Sequence, residues 1–112
     1  MGFYVLINSS GIKVLTSEKM LTLRKMQSLV GTNGEPAYIE IASCRSYSDN
    51  MIRMICDDDF LRKGYNPTCY TAEGYLLHGQ VLVLGTDRAK GDFSLLTQEQ
   101  IEIVKRETML FV

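Results

Sequence analysis

The chain has 112 residues, 46% of them hydrophobic and 22% charged, with a formal net charge of −1. That length supports one domain, residues 1–112, around one core. The charge balance excludes a global field that would recruit nucleic acid or an anionic membrane, so no direct DNA binding is expected. No apolar run approaches the length of a membrane span. The opening MGFYVLINSSG lacks both the basic start of a secretory signal and the myristoylation pattern.

In chain order, Phe3–Ile7 is a short apolar run closed by Asn8-Ser9-Ser10-Gly11, a strand and a turn, and Ile12–Leu15 resumes the pattern as the second arm of a hairpin. Thr22 is placed to cap a helix running to about Val30, with Leu23, Met26 and Val30 on one face, Gly31 as its stop and residues Thr32–Pro36 as a loop. Tyr38–Ala42 alternates as a strand, with Ile39 and Ile41 on one face. Ser46–Asn50 is a polar turn. Met51–Cys56 is the next strand, and Asp57-Asp58-Asp59 ends it, because three adjacent carboxylates suit neither face of a sheet. Phe60–Gly74, with two glycines, a proline and no clear period, reads as a helical turn plus loops.

Leu76–Leu84 is the strongest strand in the chain. Its continuous apolar end, Val81–Leu84, predicts a central position buried on both faces, and Gly79 inside it marks a bulge or a close backbone approach. Gly85–Gly91 is a loop. In Asp92–Val104, Thr97 and Gln100 spell a capping box, and Leu96 with Ile101 forms a hydrophobic staple, so a helix starts there. The sum is β-β-α-β-β-loop-β-α: a small α+β domain with a mostly antiparallel sheet of about five strands and two main helices.

Three segments taken together, LRKMQSLVG leading into YIEI, HGQVLVLG at His78–Gly85, and DFSLLTQEQI, resemble a small domain of unknown function common in bacteriophages and mobile elements. The resemblance runs from about Ile12 to Lys105. The chain departs from that pattern after the Met51–Cys56 strand, where three aspartates stand in place of an Asn-Glu pair and a glycine, and in the extra leucine of Ser94-Leu95-Leu96-Thr97. The resemblance implies an accessory protein of a phage or mobile element, working in the cytoplasm of an infected or host bacterium. Small phage proteins of this kind often counter host defence, some by sequestering nucleotide signals and others by binding a defence protein.

The candidate functional residues lie on loops, where a scaffold presents chemistry. In Phe60–Tyr70, Arg62 and Lys63 offer cations for phosphate, Tyr65 and Tyr70 offer rings for stacking on a base, and Asn66 offers an amide for a base edge. The plainer reading is an irregular surface loop whose tyrosines pack partly on the core. In Ser43–Asn50, Arg45 and Tyr47 repeat the cation–aromatic pairing, against the alternative of a hydrophilic turn. Asp57, Asp58 and Asp59 could offer oxygen ligands to a divalent cation but lack the alternation of a calcium loop, and a solvated strand end pairing with Arg62 and Lys63 is the alternative. His78 is the only histidine, so no histidine dyad exists within one chain, and a hydrogen-bonded strand residue is its simpler role.

Cys44, Cys56 and Cys69 have no spacing for zinc, and their odd number argues against a disulfide framework. They read as reduced thiols, with Cys56 in the core. The apolar tail Met109-Leu110-Phe111-Val112 docks either on its own sheet or on another subunit. With no catalytic triad, metal-ligand spacing or Gly-rich phosphate loop, the expectation is a non-enzyme without cofactors. Its leading function is to bind and sequester a host immune nucleotide, a cyclic oligonucleotide or an ADP-ribose derivative, as a homo-oligomer. The alternatives are a protein-binding inhibitor of a host defence enzyme, meeting it through an acidic surface, and a phage regulatory or scaffold protein.

Overall fold

A computed structural model describes residues 1–31, 38–43, 46–87, 89 and 91–111. The predicted loop Thr32–Pro36, the thiol of Cys44, the candidate Arg45 and the last residue, Val112, lie outside that set.

The first hairpin forms as expected, from β1 (Gly2–Asn8) and β2 (Gly11–Ser17), with Asn8 paired to Gly11 around a two-residue turn. Helix α1 (Leu23–Val30) starts where Thr22 Oγ1 accepts the Lys25 backbone N–H. Then come β3 (Ile39–Ser43), β4 (Ile52–Asp57), the four-residue helix α2 (Phe60–Lys63) and β5 (Pro67–Tyr70). They are followed by β6 (Leu76–His78), β7 (Val81–Asp87), β8 (Asp92–Ser94), α3 (Gln98–Glu107) and β9 (Met109–Leu110).

The main sheet is antiparallel, in the order β2-β1-β7-β4-β3, with β8 also pairing to β7. A second antiparallel sheet runs β6-β5-β9. The α+β class and the mostly antiparallel pairing agree with the sequence, but the described strands number nine in two sheets, where about five in one were expected.

Strand alternation divides the core into two layers. Tyr4, Leu6, Ile55, Leu82 and Leu84 face α1, where Met26 and Val30 meet them. Val5, Ile7, Met54, Cys56, Val81 and Val83 face the other way, onto Ile101 and Val104 of α3 and onto Cys69 and Leu77 of the small sheet. Strand β7 therefore lies between two helical layers, and Val81–Leu84 are fully buried, as the continuous apolar run predicts. Each such side chain contributes about 1.5–3 kcal/mol by leaving water. The extra leucine is also accommodated by this division: Leu95 packs on the α1 side and Leu96 on the α3 side.

The run Leu76–Leu84 is not one strand. Gly79 adopts φ 80°, a left-handed conformation that turns the chain out of the small sheet and into the main one. The expectation of a close approach there holds: a Cβ on Gly79 would stand 2.5 Å from Cδ2 of Tyr65. The apolar tail docks on its own molecule, where Met109 and Leu110 pair with β5 and the Phe111 N–H donates to the Thr68 carbonyl. Among the described residues no helix is long and apolar enough to cross a membrane.

Candidate functional site

Strand β4 ends in a carboxylate that is buried, not solvated: Asp57 is 1% exposed. It accepts hydrogen bonds from Lys63 Nζ at 2.7 Å, from the Asp59 backbone N–H at 2.9 Å and from the Tyr65 hydroxyl at 3.1 Å. Burial alone pushes this carboxyl up, but the bonds from Lys63, Asp59 and Tyr65 outweigh it and hold the pKa below the ordinary 3.8. The same hydrogen bond raises the Lys63 ammonium above its usual value. Asp57 thereby fixes the base of α2 and the ring of Tyr65 together.

The chain leaves α2 through Gly64, in the left-handed conformation, which turns Tyr65 and Asn66 back toward the sheet. His78 Nδ1 bonds the Tyr65 carbonyl at 2.8 Å, and its ring stacks on Phe60 with centroids 5.2 Å apart. His78 is thus a hydrogen-bonded strand residue, the simpler of its two roles. Arg62 projects outward, its Nε 2.5 Å from Asp59 Oδ2, and its side chain is 76% exposed.

The loop so held walls a polar cleft of about 730 Å³. Arg62, Lys63, Tyr65 and Asn66 line it, facing Asn8, Ser9, Thr68 and Gln80 from the hairpin turn and the two sheets. The lining is thus an open edge of donors on the α2 loop against a fixed polar wall. Gln80 is part of that wall: its Nε2 donates to the Leu29 carbonyl at the end of α1, and its Oε1 accepts from Asn8 Nδ2 at 3.2 Å. Thr68 Oγ1 donates to the Gly79 carbonyl. Among the described residues the Asn66 amide takes no side-chain hydrogen bond, and Lys63 has two N–H groups beyond the one given to Asp57.

Four of the seven candidate ligand residues, Arg62, Lys63, Tyr65 and Asn66, therefore meet in one cleft. Tyr47 does not join them. It is 6% exposed, its hydroxyl sits 2.8 Å from Thr108 Oγ1, and burial pushes its pKa up to about 12. Its ring anchors the 46–50 turn on the core below α3, so no face is open for stacking on a base. Tyr70 lies on β5 in the small sheet, half-buried and tilted against Phe111 with centroids 6.3 Å apart, away from the cleft. The expected pairing of the Asp57-Asp58-Asp59 run with Arg62 and Lys63 forms, as Asp59–Arg62 and Asp57–Lys63, but the run is not one solvated strand end. Asp57 is enclosed, Asp59 pairs with Arg62, and the described residues contain no cluster of ligands able to hold a metal.

Asn8, Ser9, Thr68 and Gln80 are members of the cleft that the sequence does not single out as site residues, and Gly79, expected there only as a close backbone approach, joins them. Only one signal pointed to them: Gln80 interrupts an otherwise apolar run immediately after a glycine. A second cleft of about 550 Å³, between the start of α1 and the β7–β8 arm, is mainly apolar and is lined by Met20, Leu21, Leu23, Met26 and Phe93.

The fold is thus a small antiparallel α+β domain with a polar loop cleft at one end of its central sheet. The model for a domain of unknown function, DUF3846, matches residues 3–109, and the chain belongs to that family. No curated protein and no solved structure gives a significant match.

Proposed function

We propose that this chain is a non-enzymatic binding protein that sequesters a small nucleotide in the cleft between α2 and the β1–β2 turn. The observation that carries the reading is the convergence of Arg62, Lys63, Tyr65 and Asn66 on one cleft of about 730 Å³. That volume lies within the range of small-molecule sites. Arg62 and Lys63 serve phosphate, the edge of Tyr65 serves the base or sugar, and Asn66 serves a polar ring edge. The biological setting in this proposal is counter-defence by a phage or mobile element, the ligand being a cyclic oligonucleotide or an ADP-ribose derivative of host immunity. Self-association belongs to the same proposal, and the exposed Leu23, Leu61 and Tyr75 are apolar surface that a second copy would cover.

The alternative of an acidic surface docking on a host enzyme has less support. Asp57 is withdrawn into the interior and Asp59 is paired with Arg62, which leaves Asp58 as the open carboxylate of that run.

Titration calorimetry against cyclic dinucleotides, cyclic trinucleotides and ADP-ribose derivatives tests the proposal. At least one should give a saturable heat, and Arg62→Ala should weaken it about tenfold or more, the scale of a lost charge-assisted hydrogen bond. Arg62 is exposed, so this variant keeps the fold. Absence of heat with every member at about 100 μM protein, where even weak micromolar binding registers, would sink it.

A further inference from the structure

The charge of the cleft limits the charge of its ligand. Among the described residues two cations line it, Arg62 and Lys63, and each is matched by a carboxylate on the same short segment: Lys63 by Asp57 at 2.7 Å and Arg62 by Asp59 at 2.5 Å. The sum over these four groups is zero, and Asp58 adjoins them on the chain. The other described lining residues, Asn8, Ser9, Asn66, Thr68 and Gln80 together with Tyr65 and two glycines, carry no charge near neutral pH. A polyphosphate site works differently, surrounding each phosphoryl group with cations, backbone N–H groups or a metal. Here any phosphate approaching Arg62 also approaches Asp59, and one approaching Lys63 also approaches the Asp57 pair.

Resting on the nucleotide reading above, we infer that the cleft selects phosphodiesters, one charge per phosphate, against nucleotides with terminal phosphoryl groups. A diester oxygen accepts the spare N–H groups of Lys63 and Arg62 with little repulsion from the neighbouring carboxylates. A terminal monophosphate brings a charge of about −1.5 to −2 near neutral pH, and a triphosphate brings more. Each added charge lies near the Asp57 and Asp59 carboxylates behind the two cations, and the described lining residues hold no further cation to meet it. Uncharged amides and hydroxyls then supply the rest of the recognition, so binding should depend only weakly on salt.

The test is a calorimetric series in both adenine and guanine: 3′,5′-cyclic monophosphate, cyclic dinucleotide, 5′-monophosphate and 5′-triphosphate, at low and at physiological ionic strength. A cyclic diester should bind tightest, with the triphosphate about tenfold weaker at low salt, the order set by one or two unscreened like-charge contacts. Asp59→Asn removes one of the opposing carboxylates from an exposed pair, and should raise the triphosphate-to-diester affinity ratio by about the same factor. If the triphosphate binds tightest to the unaltered protein, or if Asn at position 59 leaves the ratio unchanged, the charge inference is overturned while the nucleotide site stands. If no member of either series binds, the site reading fails and this inference with it.

Discussion

At the end of β4 one buried carboxylate holds three donors from the next eight residues, and this single group decides how the α2 loop sits. Its effect on stability has a defined pH window. The folded-state pKa of Asp57 lies below 3.8, so its contribution is complete above that value and is lost as pH falls through the folded pKa. Lys63 mirrors it. Its raised pKa contributes fully below 10.5 and is lost as pH rises through the folded value. Asp57→Asn should therefore cost about 2 kcal/mol near neutral pH, because an amide cannot accept all three bonds. It should also make the acid loss of stability shallower, as urea midpoints measured across pH would show. Some acid sensitivity should persist, since Ser48 holds the Glu107 carboxyl below its ordinary range through two hydrogen bonds. An unchanged acid limb in the Asn variant would mean that Asp57 is not the group responsible.

Individual elements differ in how much of their own structure they encode. Helix α3 encodes its start completely: Thr97 and Gln100 exchange both hydrogen bonds of the capping box, and Leu96 and Ile101 are each 1% exposed in the same core layer. Thr97→Ala should lower unfolding stability by about 1 kcal/mol. Thr22→Ala should cost less, because at α1 Thr22 makes a single capping bond with no return partner. Chemical denaturation of the two variants would check the order. Such caps were legible because they are local chemistry over four residues. Strands β5, β8 and β9 were not, since two to four residues carry no period and gain their pairing from partners distant in the chain. Gly79 was legible as a close approach but not as a corner between two sheets, because the apolar pattern continues through it. Among candidate residues, Arg62, Lys63, Tyr65 and Asn66 come together in one cleft because they are neighbours in sequence. Tyr47 was misread because a polar sequence context concealed a ring that belongs to the core.

In the whole molecule, two layers of side chains enclose the central sheet, and the polar cleft sits at its end. The two described thiols are consequences of that division. Cys56 and Cys69 are fully buried on the α3 side, and burial raises both to about 12. At pH 8 they should react with a thiol reagent only through global opening, orders of magnitude more slowly than a free cysteine. Mass spectrometry after a short pulse of label should find both unmodified in the native protein and both modified in denaturant. Rapid native labelling of either would contradict the packing described here.

The proposed nucleotide site lies at the end of that sheet, where the α2 loop meets the β1–β2 turn. Its most direct measurement is a titration of isotopically labelled protein with a cyclic dinucleotide, followed by backbone amide resonances. Binding in the cleft predicts saturable shifts confined to residues 8–9, 62–66, 68 and 79–80, with Tyr47 and Tyr70 unmoved. Shifts centred on another surface, or none at saturating nucleotide, would contradict it.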